Sequence, residues 1–263
     1  MAINAKDFTF CDKKLSDFGF IIANFDSSPS DDGASCGNVD LITARPPLNT
    51  KNIIHGVTYG EPIKLTFQVL KFDFNLCKSS DTPVTDKEYE ELMRWLVRKT
   101  YNYMNFDESD IYFNVTMAVT PKKVNGKIFG FEITATNDSV YSYSKPYSYY
   151  YSAGVHKFTD ESSVIGYIYP KLEIEVIHDG EIRIETNDDK RMIISNCTAG
   201  EIIKADCEHG IIESSLPNHN LSQDFNFEFI RFYNTYETRE NIINIVNATI
   251  TSMKGRYTRM VVI

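Results

Sequence analysis

Hydrophobic and polar positions alternate along most of this chain, and in one segment alone they recur at helical spacing. At 100° per residue, Tyr89, Leu92, Met93, Leu96, Val97 and Thr100 fall on one face, and Lys87, Glu91, Arg94 and Arg98 on the other. Pro83 precedes the segment. Thr85 and Glu88 form an S/T-x-x-E capping box, and Val84 with Tyr89 has the spacing of a hydrophobic staple. The pattern predicts a helix from Val84 to Met104 (about 85–104 inside its cap). Strands are predicted on both sides, so the surface beneath it is a sheet. Trp95, the single tryptophan, projects to the edge of the apolar face, where it flanks the sheet or meets another subunit.

Period-two patterns fill the rest. Residues 6–22 read as two short strands around a polar turn, with Gly19 allowing a sharp change of direction. Residues 26–38 are small, polar or glycine and read as a loop. Gly56 and Gly60 break the segment after Pro47 into strands, and Ile63, Leu65, Phe67 and Val69 alternate with Lys64, Thr66 and Gln68. Two strands at 110–119 and 128–136 are joined by Asn125-Gly126, a strong hairpin signal. VYSYSKPYSYYY (140–151) holds six tyrosines and reads as a connector between domains. In KLEIEVIHDGEIRIETN, a three-residue loop at 178–180 pairs Val176 with Ile182, Ile174 with Ile184 and Glu175 with Arg183. Further strands are predicted at RMIIS, GEIIKAD, GIIESS, FNFEFIRFY, NIINIVNATITS and RYTRMVVI. The fold class is therefore mainly β. An N-terminal domain of strands plus one α-helix (1–140) leads through a Tyr-rich connector (141–152) to an all-β sandwich (153–263).

At 263 residues, two domains are the better reading, and a 42% hydrophobic fraction supplies both cores. The start, MAINAKDFTF, has no apolar h-region, and no apolar run is long enough to span a bilayer, so a soluble, unexported chain is expected. A net charge of −9 without a Lys/Arg cluster argues against a nucleic-acid-binding surface. Cys11, Cys36, Cys77, Cys197 and Cys207 are odd in number and scattered, as expected of free thiols in a reducing compartment.

No phosphate-binding, dinucleotide, nucleophile-elbow or zinc-protease motif is present. Asp31-Asp32-Gly33 lacks the remaining ligands of a calcium loop. Cys207, Glu208, His209 and His219 fall short of a four-ligand zinc set. Glu173, Glu175 and Glu185 alternate with Ile and Val, as on the solvated face of a strand rather than in a glycosidase pair. The residues assign no catalytic group, cofactor or metal.

The order of elements resembles the distal tail proteins (Dit) of long-tailed phages and prophages of Gram-positive bacteria. The resemblance is carried by FTF…SDFGFII, YGEPIKLTFQV, the single helix, KPYSYY, GYIYPKLEIEV, GEIRI, and GEIIKAD followed by IIESS. The ending RYTRMVVI runs on past the pattern. The resemblance implies a galectin-like C-terminal sandwich and a structural, non-enzymatic virion protein at the tail tip. It implies a homo-hexameric ring between the tail tube protein and the tail-associated hub or fibre protein, with receptor-binding protein attached outside and DNA passing through without specific binding. An arm that embraces the neighbouring subunit is expected within 26–60. The partner-contact candidates are Trp95, then Asp31, Asp32 and Arg45 near the arm, and Tyr141, Tyr143 and Tyr147 in the connector. The alternative is a stand-alone galectin-like protein that binds carbohydrate or cell wall.

Overall fold

The computed structural model describes residues 5–23, 33–35, 39–47, 50–107, 109–235 and 237–260. The chain divides into two compact units, one up to Tyr143 and the other from Ser144 to Arg259.

The first unit is an antiparallel sheet with a helix on it. Its strands run in the order Lys13–Lys14, Phe8–Phe10, Asn102–Phe106, Tyr112–Val124, Lys127–Asn137, Lys64–Asp73 and Phe20–Ile22. The Asn-Gly hairpin forms as expected. Asn125 and Gly126 both take positive φ (49° and 79°), and Val124 pairs with Lys127. Ile63, Leu65, Phe67 and Val69 are all buried, as their alternation requires. Gly19 adopts a left-handed conformation (φ 81°) and closes a short 3-10 turn at Leu15–Phe18.

The helix spans Asp86–Leu96, and its start follows the sequence signals. Glu88 N–H donates to the Thr85 hydroxyl at 3.3 Å, and Thr85 N–H donates to Glu88 Oε2 at 2.8 Å. Val84 and Tyr89 both pack against the core. The end is a correction, because the chain leaves the helix at Val97 and Asn102–Phe106 forms a strand between Phe8–Phe10 and Tyr112–Val124. From Tyr101 the polarity has period two, with Met104 and Phe106 buried and Tyr103 exposed, and ladder pairing on both sides overrides continued helix.

The second unit is a sandwich around one core. Its five-stranded sheet runs Tyr147–Tyr151, Ala248–Gly255, Lys171–Val176, Ile202–Asp206, Ile211–Ser214. Its four-stranded sheet runs Gly154–Thr159, Glu240–Val246, Gly180–Thr186, Arg191–Cys197. Two expectations are overturned here. Tyr147–Tyr151 is an edge strand of the larger sheet, not a connector. Lys171–Val176 and Gly180–Thr186 are not a hairpin; they lie in opposite sheets, so Glu175 and Arg183 are not neighbours. Ile174, Val176, Ile182 and Ile184 are nevertheless all buried, because an arch between two facing sheets satisfies the same inward period as a hairpin.

Similarly, NIINIVNATITS is two strands in different sheets, divided at Asn247 (φ 58°). The Asn247 side chain ties the two crossings together. Its amide donates to the carbonyls of His178 and Glu181, and its oxygen accepts from His178 N–H. FNFEFIRFY is a strand only at Phe232–Asn234, since Phe227 (φ 57°) turns outward and breaks the alternation. Ile184→Ala is expected to destabilise this unit by about 2–5 kcal/mol through transfer and cavity terms, measurable by urea unfolding.

Candidate assembly interface

Among the described residues Val39–Ala44 pairs only with Ile53–Tyr59, forming a two-stranded sheet of its own. Its sequence explains why it has no inner face. Leu41-Ile42 and Ile53-Ile54 are adjacent apolar pairs, so each strand points one large side chain to either side. Gly56 lies inside the second strand rather than breaking it, opposite Ile42 beside a register irregularity. Leu41 is 56% exposed, Ile54 58% and Tyr59 63%, with Ile42, Ile53 and Val57 also open to solvent. An isolated two-stranded hairpin is marginal in water, and a contiguous exposed apolar patch on a soluble chain marks a contact surface.

The expected partner residues divide. Arg45 is exposed beyond the end of the first hairpin strand, and its Nε donates to Asn52 Oδ1 at 3.1 Å. Tyr141 is half-buried, with its ring edge-on to Tyr59 at 6.1 Å. Tyr143 is half-buried, donating its hydroxyl to Asp138 Oδ1 at 2.8 Å. Trp95 and Tyr147 are corrected. Trp95 is buried, stacks on Phe18 at 4.4 Å and donates its indole N–H to the Phe10 carbonyl, so the sheet has used its ring. Tyr147 packs against Tyr257 and Phe158 inside the sandwich, and burial raises its phenol pKa. Asp31 and Asp32 lie outside the described residues. Sequence reasoning missed Leu41, Ile42, Ile54, Val57 and Tyr59; the adjacent apolar pairs were the signal that could have found them.

A buried polar cluster in the second unit was also missed. His219 places Nδ1 at 2.5 Å from Glu201 Oε1 and Nε2 at 3.0 Å from the Ser195 carbonyl. Glu201 also accepts from the Ser214 hydroxyl and from Thr198 N–H. Burial pushes the Glu201 carboxyl up, but the hydrogen bonds from Ser214 and His219 outweigh it and hold it below the usual glutamate range. Both imidazole nitrogens stand within hydrogen-bond distance of an oxygen, so the ring ties the Glu201 carboxylate to the Ser195 carbonyl. Cys197 Sγ, Glu201 and His219 lie within 4.8 Å of one another and are the nearest approach to a metal-ligand set among the described residues. Each is committed to a hydrogen bond, and the Cys197 thiol donates to the Ile194 carbonyl.

Burial, with Glu201 beside one and Asp206 beside the other, raises the Cys197 and Cys207 thiols to about 12, where they are poor nucleophiles and ligands. The zinc candidates are not gathered, since His209 contacts Asp206 while His219 contacts Glu201. Among the described residues Cys11, Cys77, Cys197 and Cys207 are free thiols.

Residues 3–139 match the family model described as a phage tail protein N-terminal domain, and residues 141–254 match the one described as a phage tail C-terminal domain. The chain belongs to the phage tail proteins. This phage tail protein is similar in fold to the crystal structure of SPP1 Dit, described as a paradigm of the hub adsorption apparatus in phages infecting Gram-positive bacteria. The match has a TM-score of 0.63 at 9% identity and covers 96% of this chain and 98% of that one. No curated protein matches the sequence. A phage tail protein is a structural component of the virion. No helix among the described residues is long and apolar enough to cross a membrane.

Proposed function

We propose that this phage tail protein is a distal tail protein whose first units close into a homo-hexameric ring at the tail tip. The ring joins the tail tube to the tail-associated hub and the receptor-binding apparatus and leaves a channel for DNA. The observation that carries the reading is the Val39–Tyr59 hairpin, which exposes apolar side chains on both of its faces and has no partner strand among the described residues. Such an arm gains burial and free-edge pairing by docking on another molecule, and a second copy of the chain offers the same complement at every interface of a closed ring.

The charge constrains how the ring holds. Six copies carry 6 × −9 = −54 formal charges, so cohesion comes from apolar burial acting against like-charge repulsion. Salt screens the repulsion more than it weakens buried contacts, so assembly is expected to strengthen as salt rises. Sedimentation velocity over a salt series tests this, and dissociation at high salt would contradict the reading.

A further inference from the structure

We infer that the second unit carries a saccharide-binding site at the tyrosine cluster on its small Gly166–Ile168/Phe232–Asn234 sheet. Tyr167 and Tyr233 are direct cross-strand partners, with ring centroids 4.8 Å apart, and both rings are exposed (44% and 38%). Inward neighbours Ile168 and Phe232 anchor the same strands in the core. The rings are held rather than left to rotate. The Arg231 guanidinium sits 3.9 Å from the Tyr167 centroid, and its Nε donates to Asp188 Oδ2 at 2.6 Å. The Tyr169 ring lies 6.4 Å from that of Tyr167. Buried Asn241 fixes the backbone behind Tyr233 by accepting its N–H at 3.0 Å.

Beside this platform lies a cavity of about 90 Å³ lined by Asn187, Asp188, Tyr233, Thr235, Thr238 and Glu240. Its polar groups are only partly used. Asn187 spends its amide oxygen on Ile242 N–H, which leaves its amide NH₂ without a partner among the described residues. Asp188 gives one carboxylate oxygen to Arg231, and its other oxygen has no hydrogen-bond partner among the described residues. Arg231 covers Tyr167, so Tyr233 is the ring left beside the unspent amide and carboxylate groups, and this pairing matches a sugar, whose axial C–H face lies on an aromatic ring while its hydroxyls both donate and accept. The cavity is lined by Asn, Asp, Thr and Glu, the mixture of donors and acceptors that sugar hydroxyls use. The larger groove of the same unit, about 330 Å³ on the outer face of the five-stranded sheet, offers lysines, carboxylates and no ring. Rigid rings and a shallow polar pocket fit one or two residues of a chain rather than an enclosed small ligand.

The test uses the full chain on an array of di- to tetrasaccharides built from glucose, galactose, rhamnose, N-acetylglucosamine and N-acetylgalactosamine. The best-retained compound is then followed by saturation-transfer NMR. Retention of at least one oligosaccharide is expected, with saturation strongest on the C–H groups of one ring face. Tyr233→Ala is expected to weaken binding roughly tenfold, the order of one lost aromatic contact. Tyr233→Phe keeps the ring and most of the affinity. Asp188→Asn keeps the shape but weakens binding several-fold, which leaves the proposal testable if the alanine variant fails to fold. Retention of no oligosaccharide would overturn the inference, as would unchanged binding by folded Tyr233→Ala and Asp188→Asn. The result is independent of the ring, which is read from particle mass.

Discussion

Replacing Leu41 and Ile54 together with aspartate is expected to abolish assembly while leaving the isolated chain as stable as before. In a single copy both side chains stand more than half in water, so their loss costs the fold little, within about 0.5 kcal/mol. At a subunit interface each is a large apolar group that must be desolvated against its neighbour. A central interface residue contributes roughly 2 kcal/mol or more, so two of them amount to about a thousandfold in affinity. The added carboxylates also join a chain that already carries −9. Light scattering and urea unfolding on the same samples separate the two effects. A variant that assembles as readily as the parent would remove the hairpin from the interface.

The second large effect belongs to the buried His219–Glu201 pair. Glu201→Gln is expected to cost about 1–3 kcal/mol in the second unit, because it disrupts the buried carboxylate that holds the Ser214 hydroxyl, the Thr198 N–H and the His219 ring. Asp224 Oδ2 stands 3.6 Å from Nε2, beyond hydrogen-bond distance, and replaces none of these bonds. Replacing Glu201 and His219 together with apolar residues removes both partners at once, and much of the loss is expected to return. The pH dependence follows from the direction of the Glu201 shift. Its folded pKa lies below the ordinary glutamate value, so its contribution is complete above that value and is lost as pH falls through the lowered one. Urea midpoints between pH 7 and pH 3 should show this acid-side loss in the parent and a smaller one in Glu201→Gln. A cost below about 1 kcal/mol would mean that the cluster is not the tie its geometry describes.

Which residues face inward was legible in the sequence almost everywhere, because burial follows the period. Ile63 to Val69, Ile174 to Ile184 and the helix start at Thr85 all follow from spacing and capping chemistry. Which strand lies beside which was not. Period two places Ile182 and Ile184 in a core whether they pair with Lys171–Val176 or face it from the opposite sheet, and the determinant, Asn247 bridging both crossings, is about 70 residues away. The helix end was hidden for a related reason, since Asn102–Phe106 takes its conformation from ladder partners in Phe8–Phe10 and Tyr112–Val124. Trp95 shows the limit of composition: an aromatic ring suits a core and an interface equally, and only three-dimensional packing on Phe8 and Phe18 decides. The His219–Glu201 cluster joins residues from separate loops and strands and has no local signature. The hairpin is the reverse case, because its doubled apolar pairs were visible and mark a strand without an interior.

The proposed function rests on ring formation by this phage tail protein. Native mass spectrometry of the purified full chain at moderate ionic strength tests it most directly. A dominant species of six copies, 6 × 30.1 = 180.6 kDa, is expected, collapsing to the single chain in the Leu41→Asp/Ile54→Asp variant. A parent protein that remains at 30.1 kDa over the whole accessible range of concentration and salt would contradict it.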